Sequence, residues 1–210
     1  MQDKEIQRYS RPMRFSVQLI ALLYLLWVVG EALLGLQPVA VTINRLGLGA
    51  LTSLTLCLAC TPVNIVFGFP PVRRLRRMLG LYAFYFACLH LVVLFGWLYR
   101  LSWDNFLQGL LNSLTQQVGL AAFIILLVLA LTSLKRLRQI LRRNWKRLHR
   151  LAYAAGVLGG LHLLGAPDSP AVLGAVYLAI ILLLLAIRLP PVKDWFERRY
   201  ARPDPASQIG

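Results

Sequence analysis

Six long runs of apolar residues, separated by short polar or basic stretches, set the pattern of this chain. They extend from Phe15 to Leu36, Leu46 to Phe69, Leu79 to Tyr99, Val118 to Leu134, Leu148 to Leu164 and Ala171 to Leu189. At ~1.5 Å of rise per residue, a helix of about 20 residues crosses the ~30 Å hydrocarbon core of a bilayer. Lipid offers no partner to backbone N–H and C=O groups, so spans of this length close their hydrogen bonds internally as helices. The pattern therefore predicts an all-α polytopic membrane protein with six transmembrane helices. Three regions follow: a polar segment over 1–14, the membrane domain over 15–189 and a tail over 190–210.

The polar residues between the runs give orientation. Of the 23 Lys and Arg, 21 fall in the N-terminal segment, the second and fourth connections and the tail, against Arg45 and Arg100 on the other side. The positive-inside rule places both termini in the cytoplasm, so odd-numbered spans run outward. The first run, about 22 residues, exceeds the ~7 to 15 residues of a signal-peptide core and reads as a span.

Composition agrees. The chain has 210 residues, 58% hydrophobic and 15% charged, too apolar for a water-soluble domain of this length. Its net charge of +15 is confined to connections and ends, which suits anionic lipid headgroups and excludes a nucleic-acid-binding face. The longest basic connection, Lys135 to Arg147, carries Leu137, Ile140 and Leu141 at helical spacing and predicts an amphipathic helix in the inner interface. A lipid anchor and a docking place for a soluble electron donor fit that pattern equally well. Cys57, Cys60 and Cys88 lie in apolar runs, where buried packing explains the C-x-x-C pair better than redox chemistry.

Ionisable groups inside hydrocarbon are costly and ask for a function. The chain has three histidines: His90 in the third run, and His149 and His162 in the fifth. His90 lies eleven residues past Leu79 and His162 twelve past Arg150, so both sit about 16 to 18 Å from the inner edge. Two neutral imidazoles at one depth on neighbouring helices can supply both axial ligands of a haem, whereas zinc asks for more ligands than two histidines provide. The competing reading is a pair of interhelical hydrogen bonds. His149 lies ~20 Å below His162 and about 140° around the helix from it. Gly156, Gly159 and Gly160 between them would allow a local distortion or give a macrocycle room. One stripe below His90, fourteen residues earlier, stands Arg76, which cannot ligate iron but can pair with a haem propionate. Trp145 and Tyr153, on either side of His149, suit interfacial anchoring or the stacking of a flavin or quinone ring.

Several stretches taken together resemble the MsrQ (YedZ) family of haem-binding membrane subunits, within the ferric reductase-like transmembrane superfamily. They are Leu54-Thr55-Leu56-Cys57-Leu58-Ala59-Cys60-Thr61-Pro62, Arg76-Arg77-Met78-Leu79-Gly80-Leu81, Leu89-His90-Leu91, Leu131-Thr132-Ser133, Trp145-Lys146-Arg147-Leu148-His149-Arg150-Leu151-Ala152-Tyr153 and Leu161-His162. The resemblance implies six helices with the haem between the third and fifth, one or two haems b, and an association with FMN. It implies electrons from the quinone pool or a cytosolic flavin reductase, and delivery to MsrP, a periplasmic molybdenum-dependent methionine-sulfoxide reductase, in repair of oxidised proteins. His90 and His162 match the outer ligand pair and His149 the inner histidine. The related NADPH oxidases carry a second third-helix histidine where this chain has Arg76.

The expected function is therefore that of an electron-transfer subunit of an oxidoreductase system in a bacterial inner membrane, with no bond-making chemistry of its own. Two rivals use the same sequence differently. One is a stand-alone ferric reductase or superoxide-forming oxidase with an open outer cavity; the other is a non-redox transporter or assembly factor with structural histidines.

Overall fold

A computed structural model describes residues 3–167 and 169–192, with side chains from residue 7 onward. The tail from Lys193, which holds four of the cations assigned to the inner side, lies outside the described residues. The fold is all-α, and four of its helices are long and apolar enough to cross a membrane. Two shorter apolar helices accompany them. The chain is a multi-pass membrane protein.

Helix α1, Asp3–Leu33, absorbs the polar N-terminal segment and continues without a break into the first apolar run. Helix α2, Val39–Phe67, starts seven residues earlier than its apolar run, because Pro38 sets φ −58° and ψ 147° at its N-cap. That places Arg45 inside the helix, where it pairs with Glu31 of α1. Gly68 ends α2 in the left-handed region at φ 59°, with its N–H on the Asn64 carbonyl. A 3₁₀ turn, Pro70–Leu75, leads into α3, Arg76–Val93, which widens to a π-helical turn over Leu94–Leu98.

The connection after the third run holds a helix that its polar composition did not suggest, α4, Trp103–Asn112. Ser102 caps it by accepting from the Asn105 N–H at 3.3 Å. Ser113 begins α5, Leu114–Thr132, in the same way, accepting from the Gln116 N–H at 3.4 Å. The basic connection forms α6, Lys135–Leu148, which breaks at Arg142 (φ 43°, ψ −113°). The fifth and sixth runs become α7, Leu151–Leu164, and α8, Ala171–Ala186. At ~1.5 Å per residue these are about 21 and 24 Å long, shorter than the expected spans, because the basic turn at His149–Arg150 delays the start of α7 and α8 gives way to a turn after Ala186.

Helix α2 is the central post, lying along α3 and also touching α1, α7 and α8; α7 is held between α5 and α8. One apolar cluster joins Leu46, Leu54, Phe86, Leu126 and Ala155 across α2, α3, α5 and α7. A second joins Leu51 and Leu58 to Leu163 and Ile181. The outside is apolar as well: Phe15 is 67% exposed and Val172 75%. Such an exterior is stable against lipid and not against water. The helical run through Gly156, Gly159 and Gly160 is unbroken, so these glycines serve close packing and introduce no kink.

Candidate functional site

The two histidines at equal depth meet. The rings of His90 on α3 and His162 on α7 lie with centroids 6.2 Å apart and planes at 88°. Each is oriented by the backbone of another helix. His90 Nδ1 lies 2.8 Å from the Ile43 carbonyl oxygen of α2, and His162 Nδ1 2.8 Å from the Thr115 carbonyl oxygen of α5. A carbonyl only accepts, so Nδ1 of each neutral ring carries the proton and Nε2 is left with its lone pair. Holding Nδ1–H on a backbone carbonyl is how metal-ligating histidines have tautomer and ring direction set.

Both rings line one partly open cleft, with apolar walls from Ala50, Leu54, Ala87, Phe123 and Leu126. Phe106 and Leu110 of α4 and Gln116 of α5 also line the cleft. Two glycines make the ring positions possible. A Cβ on Gly47 would lie 3.1 Å from His90 Nδ1, and one on Gly119 2.6 Å from His162 Nδ1. Two Nε2 lone pairs on one apolar cleft fit a haem, which would take its ligands from these imidazoles and lie against the apolar walls. Among the described residues no group of three His, Cys, Asp or Glu converges, which argues against a metal ion held by side chains alone.

His149 and Arg76 lie elsewhere. Neither lines this cleft. The His149 ring stacks on Trp145 at 4.0 Å between centroids, with Nε2 3.4 Å from Ser133 Oγ. Trp145 donates its Nε1–H to the Thr132 carbonyl at 3.0 Å, one of the carbonyls the C-terminus of α5 leaves free. Arg138 also lies against the Trp145 ring, 4.9 Å from its centroid, so the indole contacts both His149 and Arg138. Arg76 gives its backbone carbonyl to the Cys57 thiol at 3.1 Å.

The chain matches the family model described as "Ferric reductase like transmembrane component" over residues 46–160, more than half its length and two residues short of His162. It is 39% identical over 163 residues to the protein-methionine-sulfoxide reductase heme-binding subunit MsrQ of Xanthomonas axonopodis pv. citri (strain 306), covering 78% of this chain and 75% of the relative. It is 36% identical over 185 residues to the MsrQ of Rhodospirillum rubrum, covering 85% and 88%. The chain belongs to the MsrQ family.

In this MsrQ family member the third and fifth runs carry the two imidazoles, and α2 and α5 supply what orients them. Ile43, Gly47, Thr115 and Gly119 were not singled out from the sequence. The available signal was an interior glycine in each of two apolar helices, where Gly costs about 1 kcal/mol relative to Ala and so asks for a reason. The acceptor carbonyls carry no signal, since every residue has one.

Proposed function

We propose that this chain is the haem b subunit of a methionine-sulfoxide reductase system, conveying electrons across a bacterial inner membrane. The supporting observation is the His90/His162 pair: rings 6.2 Å apart on one apolar cleft, each with Nδ1 2.8 Å from a backbone carbonyl. A bound haem supplies one-electron chemistry at its iron. The chain's own residues supply the rest. His90 and His162 present Nε2; Ile43 and Thr115 keep the proton on Nδ1; Leu54, Phe123 and Leu126 exclude water, which with burial sets the potential of the site.

The proposal includes six spans with both termini cytoplasmic, α7 and α8 crossing as the fifth and sixth. The α6 end then faces the cytoplasm, with His149 and Arg76 on the side where electrons enter from a quinol or a cytosolic flavin reductase. An inner haem would use His149 as ligand and Arg76 toward a propionate, and FMN would bind on that side. The α4 end faces the periplasm, where a molybdenum-dependent catalytic subunit of the MsrP kind would receive the electrons. Phe106 and Leu110 line the cleft on that side with apolar side chains, which offer no ligand to a ferric ion and favour a protein acceptor.

The test is a reduced-minus-oxidised spectrum of the purified protein with haem quantified per chain. His90→Ala and His162→Ala each remove the low-spin signal of this site; intact signals in both variants reject the assignment.

A further inference from the structure

We infer that Lys135, Arg138, Arg142 and Lys146 form a binding site for a phosphate ester on the face of α6, separate from the histidine cleft and independent of the haem assignment. The four residues lie on both sides of the break in α6, and with Gln139 and Trp145 they line a single concavity. A straight helix presents a convex face. The break at Arg142, where a residue bearing a Cβ takes φ 43° and ψ −113°, turns that face inward and puts the strained residue at its centre. Strain of this kind persists where surrounding structure or a ligand holds it, and ligand clamps are one of its usual places.

Charge points to the ligand. Helix α6 carries seven cations and no carboxylate in 14 residues. Among the described residues none of these four cations is seen to meet an acidic side chain. Four like charges around one concavity repel each other until an anion joins them, and two guanidinium forks with two ammonium groups suit a compact anion with several oxygens. The Trp145 ring, already in contact with His149 and Arg138, also lines the concavity, and the four cations direct recognition to the phosphate itself. Ile140, 75% exposed, and Leu137 border the site and would lie against acyl chains, so a lipid headgroup and a soluble phosphate both satisfy it.

The experiment uses the full chain. Retained phospholipid is measured by native mass spectrometry after equilibration in nanodiscs of phosphatidylcholine with or without phosphatidylglycerol, and inorganic phosphate binding by calorimetry in nonionic detergent. The variant Lys135→Gln/Arg138→Gln/Arg142→Gln/Lys146→Gln is compared with Arg136→Gln/Arg143→Gln/Arg147→Gln/Arg150→Gln, which removes the same charge outside the concavity. The site predicts that the first variant weakens binding by about tenfold or more while the second stays within about twofold. Inorganic phosphate that binds and displaces phosphatidylglycerol identifies a soluble ester; lipid retention that phosphate does not compete identifies the headgroup. Equal weakening in both variants means diffuse surface charge and overturns the site, as does wild-type protein that binds neither probe. Should the fourfold variant fail to fold, Arg142→Gly relieves the backbone and removes one guanidinium. Affinity lower by about threefold with an unchanged or raised melting temperature supports the site, and unchanged affinity rejects it.

Discussion

The guanidinium of Arg188, just beyond α8, donates through Nη2 to the carbonyl oxygen of Leu58 in the middle of α2. Pro62 stands four residues after Leu58 and has no N–H, so the α2 ladder leaves this carbonyl without its helical donor. Arg188 replaces the missing donor from another helix, with its guanidinium 4.8 Å from the centre of the Tyr153 ring. One contact thus ties α2, α7 and the end of α8 together. Arg188→Ala is expected to cost about 1.5 to 3 kcal/mol, the range for a hydrogen bond to a charged group. In a Pro62→Ala background, where the new backbone N–H restores the helical donor, the same change costs less. Equal costs in the two backgrounds, by thermal unfolding in detergent, would show that Arg188 does not serve the proline gap.

Gly119→Ala places a methyl 2.6 Å from His162 Nδ1, on a ring already held between α5 and α7, and is expected to displace it and abolish haem retention. Gly47→Ala meets His90 at 3.1 Å, a distance a shift of a few tenths of an ångström relieves, so partial retention is expected. The order matters as much as the loss. Haem per chain after purification measures both, and a Gly47→Ala protein emptier than Gly119→Ala contradicts the geometry.

His149 does not line the cleft of the other two histidines. His149→Ala should therefore leave the low-spin signal of the His90/His162 site in place while lowering total haem if an inner haem is bound. Loss of the outer signal in this variant would mean that the α6–α7 turn and the histidine cleft are not independent.

Trp145→Phe keeps an aromatic ring against His149 but deletes the Nε1–H bond to Thr132 at 3.0 Å, which anchors α6 to the end of α5. A loss of about 1 kcal/mol of local stability is expected. Faster trypsin cleavage within 135–147 reads it out, and an unchanged rate would show that α6 is held by other contacts.

Glu31 and Arg45 pair between α1 and α2, with Trp27 donating to the same carboxylate at 3.1 Å and lying under the guanidinium at 4.2 Å. Both side chains are only about one-fifth exposed, so Glu31→Gln should destabilise the protein by more than the about 1 kcal/mol of an exposed pair. A melting temperature equal to that of wild type would assign the pair no structural weight.

Hydropathy, charge and residue type, which belong to the sequence itself, were enough to identify an all-helical membrane chain and to single out His90 and His162 at a common depth. These are one-dimensional quantities: span length follows from rise per residue, and depth from counting along a helix. They could not resolve α4, because ten residues with polar positions and two serine caps read equally well as a loop until packed against the cleft. Nor could they place Arg45 inside α2, find Arg188 beneath the Pro62 gap, or pair Ile43 with His90 and Thr115 with His162. Those relationships join residues between 14 and 130 positions apart in the chain, and they depend on which helix faces which and at what rotation. Only the tertiary packing decides that, because contacts in a helical bundle form where side-chain shapes interlock and not where sequence positions match.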